Sequence, residues 1–259
     1  MCLLLIAIDV VPQTPLLLLG NRDEFHRRES APAGPWNEDA RVDGGRDLVA
    51  GGSWLAVHSD ARFAAVTNLR TGVPATAPKS RGWLVRDVVL GHLPPEAYLE
   101  ALRADAASYG PFNLVIGDRR GVWAFGSAGA MPHRLGAGVH VVSNGPIGVH
   151  WPKTERLREC FADALAGGAI SETRLLALLT DATQPLDERL PDTGVGIELE
   201  RILAPIFIRG ESYGTRASTL ALRRENGDTV LIERRYGPGG ATLGESRWHA
   251  ASGSGFVAA

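Results

Sequence analysis

Leu3-Leu4-Leu5-Ile6-Ala7-Ile8 and Leu16-Leu17-Leu18-Leu19-Gly20-Asn21-Arg22-Asp23-Glu24-Phe25 are the stretches that decide the fold. Each opens on a short unbroken apolar run, the pattern of a strand buried on both faces rather than of a half-exposed one. The turn-rich Val10–Pro15 segment between them predicts a buried hairpin, which brings residue 2 close to residues 20–24. Asn21-Arg22-Asp23-Glu24 is expected to follow the second strand directly. Four polar side chains beside an apolar strand must face solvent, pair with one another or line a site.

Outward from this hairpin, Leu48 to Asn68 alternates short apolar stretches with Gly51-Gly52 and Ser59-Asp60, as in an antiparallel meander ending at Asn68. Helical spacing takes over at Gly82–Leu90, with Ser80 as its cap, and at Pro94–Ala107, opened by Pro94-Pro95. Strand patterns return at Phe112–Ile116, Val122–Phe125 and Val139–Val142, followed by helical Lys153–Leu165 and Glu172–Leu179. Asp181–Glu200 is expected to form a long loop and a candidate lid. Ile202–Ile208, Thr215–Leu222 and Thr229–Arg235 read as closing strands, and Ala250–Ala259 as a tail that frays. Strand groups with hairpin-length connections, alternating with helix pairs, predict an α+β layered sandwich of antiparallel sheets. Nothing in the pattern divides the chain, so residues 1–259 are expected to form one domain.

The 259 residues carry 27 basic and 29 acidic side chains, for a formal charge of −2, with no basic run that would mark a nucleic-acid surface. No apolar stretch approaches the length of a membrane span, and the start lacks the basic and apolar regions of a secretory signal, so a cytoplasmic location is expected. Two cysteines, Cys2 and Cys160, exclude a disulfide framework and a cysteine-rich zinc site. The sequence holds no phosphate loop, HExxH, CxxC, GxSxG or GxGxxG signature, and the seven histidines lack ligand spacing. No metal and no cofactor is implied.

Cys2 is the sharpest chemical feature. Removal of the initiator methionine, favoured before a small residue, would leave a thiol and an α-amine on one residue, a nucleophile with its own base. Asp23 is suited to hold that amine and Arg22 to favour thiolate over thiol. Asn68 and Asn144, each at the end of a strand pattern, offer side-chain amides able to stabilise an oxyanion. Arg216 lies within an otherwise neutral strand pattern. The plain alternatives are a packed cysteine, a charged loop, turn asparagines and a surface arginine.

Taken together, Met1-Cys2, Asn21-Arg22-Asp23-Glu24-Phe25, Gly44-Gly45-Arg46-Asp47, Gly51-Gly52-Ser53-Trp54, Thr67-Asn68, Ser80-Arg81-Gly82, Phe112-Asn113-Leu114, Ser143-Asn144 and Trp151-Pro152-Lys153 resemble the NRDE family, also called the transport and Golgi organisation 2 family. The resemblance spans essentially the whole chain. It implies kinship with N-terminal nucleophile hydrolases and their four-layer αββα sandwich, and within them with the choloylglycine hydrolase and penicillin V acylase branch, which cleaves linear amides. On that resemblance Cys2 matches the nucleophile, Asp23 the aspartate contacting its amine, Asn68 the oxyanion asparagine, Asn144 a second active-site asparagine and Arg216 a late arginine. The acylases carry their early arginine two residues before the position of Arg22. The implied partner is a small acyl-amide or lipid-like ligand. The family's links to lipid homeostasis and haem trafficking imply an alternative of another class, a carrier or chaperone of haem or an acyl lipid on the same fold.

Overall fold

β1 (Leu3–Val11) and β2 (Thr14–Phe25) form the expected hairpin in a computed structural model that describes residues 3–72, 77–129, 131–168 and 170–259. The register pairs Leu3 with Asn21 and Leu5 with Leu19. Met1 and Cys2 lie outside the described residues. β2 is longer than its apolar run suggests. Asn21-Arg22-Asp23-Glu24 is not a loop after the strand but its second half, because β12 continues to pair with β2 as far as Phe25 after β1 has ended.

The remaining elements follow in order: β3 (Ser30–Ala31), β4 (Val42–Asp43), β5 (Arg46–Asp47), β6 (Leu55–His58), β7 (Phe63–Asn68), α1 (Arg81–Leu90), α2 (Pro95–Asp105), β8 (Phe112–Asp118), β9 (Gly121–Gly126), β10 (His133–Leu135), β11 (Gly138–Val142), α3 (Pro152–Ala166), α4 (Glu172–Leu178), α5 (Ile197–Leu203), β12 (Tyr213–Arg223), β13 (Thr229–Tyr236), β14 (Thr242–Ala250) and β15 (Val257–Ala258). One sheet runs β11-β1-β2-β12-β13-β14-β15, a second runs β10-β9-β8-β7-β6-β4, and β3 pairs with β5 in a separate two-stranded ribbon, with the strand pairs antiparallel among the described residues.

Alternation along β1 and β2 explains the unbroken apolar runs. Leu4, Ile6, Leu16 and Leu18 face the second sheet and pack with Leu55, Val57 and Val115, while Leu3, Leu5, Leu17 and Leu19 face Leu157 and Phe161 of α3 and Leu175 and Leu176 of α4. On the far side, α1 and α2 cover the second sheet through Leu84, Val85, Val89 and Leu99 against Val66, Leu114 and Ile116. The result is a four-layer αββα sandwich. Both faces of the central strands are removed from water, and each fully buried leucine contributes roughly 1.5–3 kcal/mol of transfer free energy.

Three expectations at the C-terminal side need correction. Ile202–Ile208 is not a strand: Ile202 belongs to α5, and Ile206–Ile208 is a buried, bent segment outside the sheets, held by Phe207 N–H to Asp181 O (2.8 Å) and Thr215 N–H to Ile208 O (2.9 Å). Apolar residues there cover the sandwich instead of joining a ladder. The Asp181–Glu200 loop contains a short 3-10 turn and the start of α5, and it is fastened by buried Glu200, which accepts from Thr193 N–H (2.9 Å) and pairs with Arg70 (2.5 Å). Ala250–Ala259 does not fray. β15 pairs with β14, a strand the sequence pattern did not reveal, and Phe256 is buried with its N–H on Ala40 O (2.8 Å). Among the described residues no helix is long and apolar enough to cross a membrane.

Candidate active site

The polar half of β2 is buried, and each side chain there has its own means of support. Asn21, fully enclosed, faces the helical layer, donates from Nδ2 to Leu179 O (2.8 Å) and Ile206 O (2.7 Å), and accepts from Ser218 Oγ (2.7 Å). It is a structural tie, with no face left for a ligand. Arg22 lies between the sheets, its guanidinium 4.4 Å from the centre of the Trp54 ring and its Nη2 3.7 Å from Asp47 Oδ2. Burial draws the Arg22 pKa down, while Glu24 and Asp47 oppose that, and the guanidinium stays cationic at neutral pH. Its buried Nη1 has no hydrogen-bond partner among the described residues. Asp23 accepts from Thr215 Oγ1 (2.7 Å), which in turn accepts from Ile208 N–H (2.9 Å).

Arg216 reaches the same neighbourhood through an irregularity. The β2–β12 register shifts between Thr215 and Ala217, so Arg216 is the extra residue of a bulge and is turned out of the normal alternation. Its Nη1 donates to Arg28 O and, at 3.4 Å, to Phe25 O, which ties down the turn after β2. Burial lowers the Arg216 pKa, against the pull of Glu24 and Asp47.

Arg22, Asp23 and Asn68 line one cleft of about 580 Å³, with Arg28, Asp47 and Trp54 on the same wall and Ser80–Trp83 at its rim. Asn68, the last residue of β7, has no hydrogen bond to its carboxamide among the described residues. Asn144 does not line the cleft. It acts from behind: Nδ2 donates to Asn68 O (2.9 Å) and its own carbonyl accepts from Arg70 N–H (2.8 Å), joining the end of β7 to the loop after β11. Arg216 is likewise outside the lining. The structure therefore brings Arg22, Asp23 and Asn68 together and sets Asn144 and Arg216 behind them as supports. Cys2 lies outside the described residues.

Two glycines make the cleft wall feasible. Gly52 has φ +79°, and a Cβ there would stand 2.2 Å from Gly82 O, so only glycine lets the 51–53 turn dock against the first turn of α1. Gly45 leaves room for the Trp54 ring, which a Cβ would meet at 2.2 Å. Behind Trp54 two acids are enclosed between the sheets. Burial pushes Asp43 up to about 8, with Glu233 adding to the effect, and burial pushes Glu233 up to about 7.

Several residues of this site carry no role of their own in the sequence reading. Asp47 appears there only within the Gly44-Gly45-Arg46-Asp47 motif, yet it holds Arg28 Nε (2.8 Å) and the N–H groups of Val49 and Ala50. Burial would raise its pKa, and these bonds outweigh that and bring it below the ordinary carboxylate value. Thr215 carries no signal beyond opening a strand pattern, and Lys153 none beyond its place in the Trp151-Pro152-Lys153 motif. Their partners are far apart along the chain.

A family model described as Transport and Golgi organisation 2 matches residues 1–238. The chain belongs to that family. Its Transport and Golgi organization 2 homolog from Mus musculus is 27% identical over 90% of this chain and 92% of the mouse protein. Among solved structures, a mutant conjugated bile acid hydrolase from Clostridium perfringens is similar over 100% of this chain and 96% of its own, at 12% identity and a TM-score of 0.50. An N-acylethanolamine-hydrolyzing acid amidase ortholog from Caenorhabditis elegans aligns with 85% of this chain and 92% of its own, at 13% identity and a TM-score of 0.49. The likeness to the bile acid hydrolase shows the fold, so this Transport and Golgi organisation 2 member shares its αββα sandwich with that structure.

Proposed function

We propose that this protein is an N-terminal cysteine hydrolase that cleaves a linear carbon–nitrogen amide through a thioester. The observation that carries the reading is the hairpin register: Leu3 stands opposite Asn21, so the chain enters the sheet beside Arg22 and Asp23, on a cleft that also presents the carboxamide of Asn68, which none of the described residues engages. A nucleophile at residue 2, a carboxylate, a guanidinium and an amide donor within one cleft are the parts that acyl transfer needs.

In this reading the Cys2 thiol gives its proton to its own α-amine, and the thiolate attacks the amide carbon. The carbon–sulfur bond forms while the carbonyl electrons move to oxygen, and the Asn68 Nδ2–H donates to that oxyanion. Collapse breaks the carbon–nitrogen bond, and the ammonium proton passes to the departing amine. Water, deprotonated by the free α-amine, then attacks the thioester, releasing the carboxylic acid and restoring the thiol. Asp23 orients the amine, Arg22 favours the thiolate, Asn144 fixes Asn68, and Arg216 holds the turn that follows β2.

The test is intact-mass determination of the N-terminus together with turnover of wild type, Cys2→Ser and Cys2→Ala on a panel of acyl amides. The expected result is loss of Met1, an acyl adduct at residue 2 and a fall in turnover in Cys2→Ala of at least about 10³-fold. Retention of Met1, or undiminished turnover in Cys2→Ala, overturns the mechanism.

A further inference from the structure

Lys153 stands where a lysine is disfavoured. It is the second residue of α3, in the turn where the helix dipole opposes positive charge, and only 3% of its surface is exposed. A buried ammonium in such a place needs acceptors aimed at it. Its Nζ lies 3.1 Å from Leu203 O and 3.5 Å from Asn144 Oδ1.

The Asn144 contact has a directional consequence. An ammonium has donors only, so it faces the carboxamide oxygen and leaves Nδ2 turned toward Asn68 O, which is an acceptor only. Flipping the amide would set donor against donor at Lys153 and oxygen against oxygen at Asn68. Neighbouring contacts hold the same turn of α3 in place. The Arg70 guanidinium lies 5.0 Å from the Trp151 ring centre, and a Cβ on Gly145 would stand 3.0 Å from that ring. The start of α3 is therefore packed onto both the 144–145 loop and the chain leaving β7.

We infer that Lys153 is a positioning residue for the oxyanion donor: it locks the side-chain amide of Asn144, which fixes the Asn68 carbonyl and with it the direction of the Asn68 carboxamide in the cleft. This rests on the hydrolase reading for its catalytic consequence, but the lock itself is a property of the folded protein.

The test therefore has two readouts. In wild type, side-chain amide NMR is expected to show a nuclear Overhauser contact between an Asn144 carboxamide proton and the backbone at Asn68–Leu69, whose carbonyl it meets. Absence of that contact overturns the inference whether or not any variant folds. In Lys153→Met, the Asn144 and Asn68 amide signals are expected to move together, and in Lys153→Arg, which keeps a charged donor, to stay near their wild-type positions. Signals unmoved in Lys153→Met overturn it. With an acyl-amide substrate, kcat is expected to fall about 10- to 100-fold in Lys153→Met, less than the loss of a whole oxyanion donor, with KM changing under about threefold. Lys153→Arg is expected to recover most of kcat. An unchanged kcat beside an active wild type overturns the positioning role. An inactive wild type with the amide signals moved overturns the hydrolase reading alone and supports the lock.

Discussion

The two halves of β2 share a strand, a sheet and nearly the same burial, yet they are stabilised by different physics. Leu16–Leu19 is held by non-directional apolar contact with layers above and below. Asn21–Asp23 is as deeply enclosed and is held by partners that must arrive at set angles: two carbonyls and a hydroxyl for Asn21, an indole face and a carboxylate for Arg22, and a hydroxyl for Asp23. A leucine position tolerates any apolar neighbour of suitable volume. A buried polar position tolerates only the complementary group, because an unmatched polar atom loses water and gains nothing. The proposed chemistry falls in the half where geometry is enforced.

The strongest way to break this contrast is Asn21→Leu, which extends the apolar half by one residue of its own facing. It leaves Leu179 O, Ile206 O and Ser218 Oγ without their present partner, and a loss of about 4 kcal/mol is expected from the midpoint of urea unfolding. A neutral result would mean that the polar half needs no matched partners. Leu19→Ala, the neighbouring position on the same face, should cost about 3 kcal/mol through lost transfer energy and a residual cavity.

The pH dependence of stability sharpens the contrast at the layer between the sheets. Asp43 and Glu233 have raised pKa values in the folded protein, so the folded state binds more protons than the unfolded chain between about pH 4 and the values of about 8 and about 7. Their contribution is fully present below about pH 4 and is lost as pH rises through that window. Urea midpoints are expected to fall between about pH 5 and about pH 8.5, and Glu233→Gln to flatten that fall. A midpoint that rises with pH over this range, unaltered by Glu233→Gln, would refute the protonated pair. The smallest effect is expected at the cleft rim. Ser80 accepts from Gly82 N–H (3.3 Å) as the cap of α1, and Ser80→Ala should cost about 1 kcal/mol in the same measurement.

Legibility from sequence followed the same divide. The hairpin, the helices at 81–90 and 95–105 and the strands of the meander could be read because an apolar period or a proline announces them within one element. β14 could not be read: Thr242–Ala250 carries glycine, charges and a histidine, and it becomes a strand because β13 offers it a ladder. Ile206–Ile208 failed in the opposite direction, as an apolar run that finds a cover to form and no strand to pair with. At the site, Arg22, Asp23, Asn68, Asn144 and Arg216 were conspicuous as residue types. Which of them line the cleft and which stand behind it was not.

The order of apolar and polar residues along the chain determined that strands 1 and 2 pair, that helices cover sheets in a sandwich, and that charged groups come directly after the apolar run of the second strand. Those are consequences of local period and of removing hydrocarbon from water, which act within a few neighbouring residues. The three-dimensional packing decided that Asp47 and Trp54 flank Arg22, that Thr215 meets Asp23, and that Lys153 turns the amide of Asn144. Hydrogen bonds and ion pairs act over a few ångströms in space, between residues as much as 215 positions apart, and no local pattern records which of them will meet.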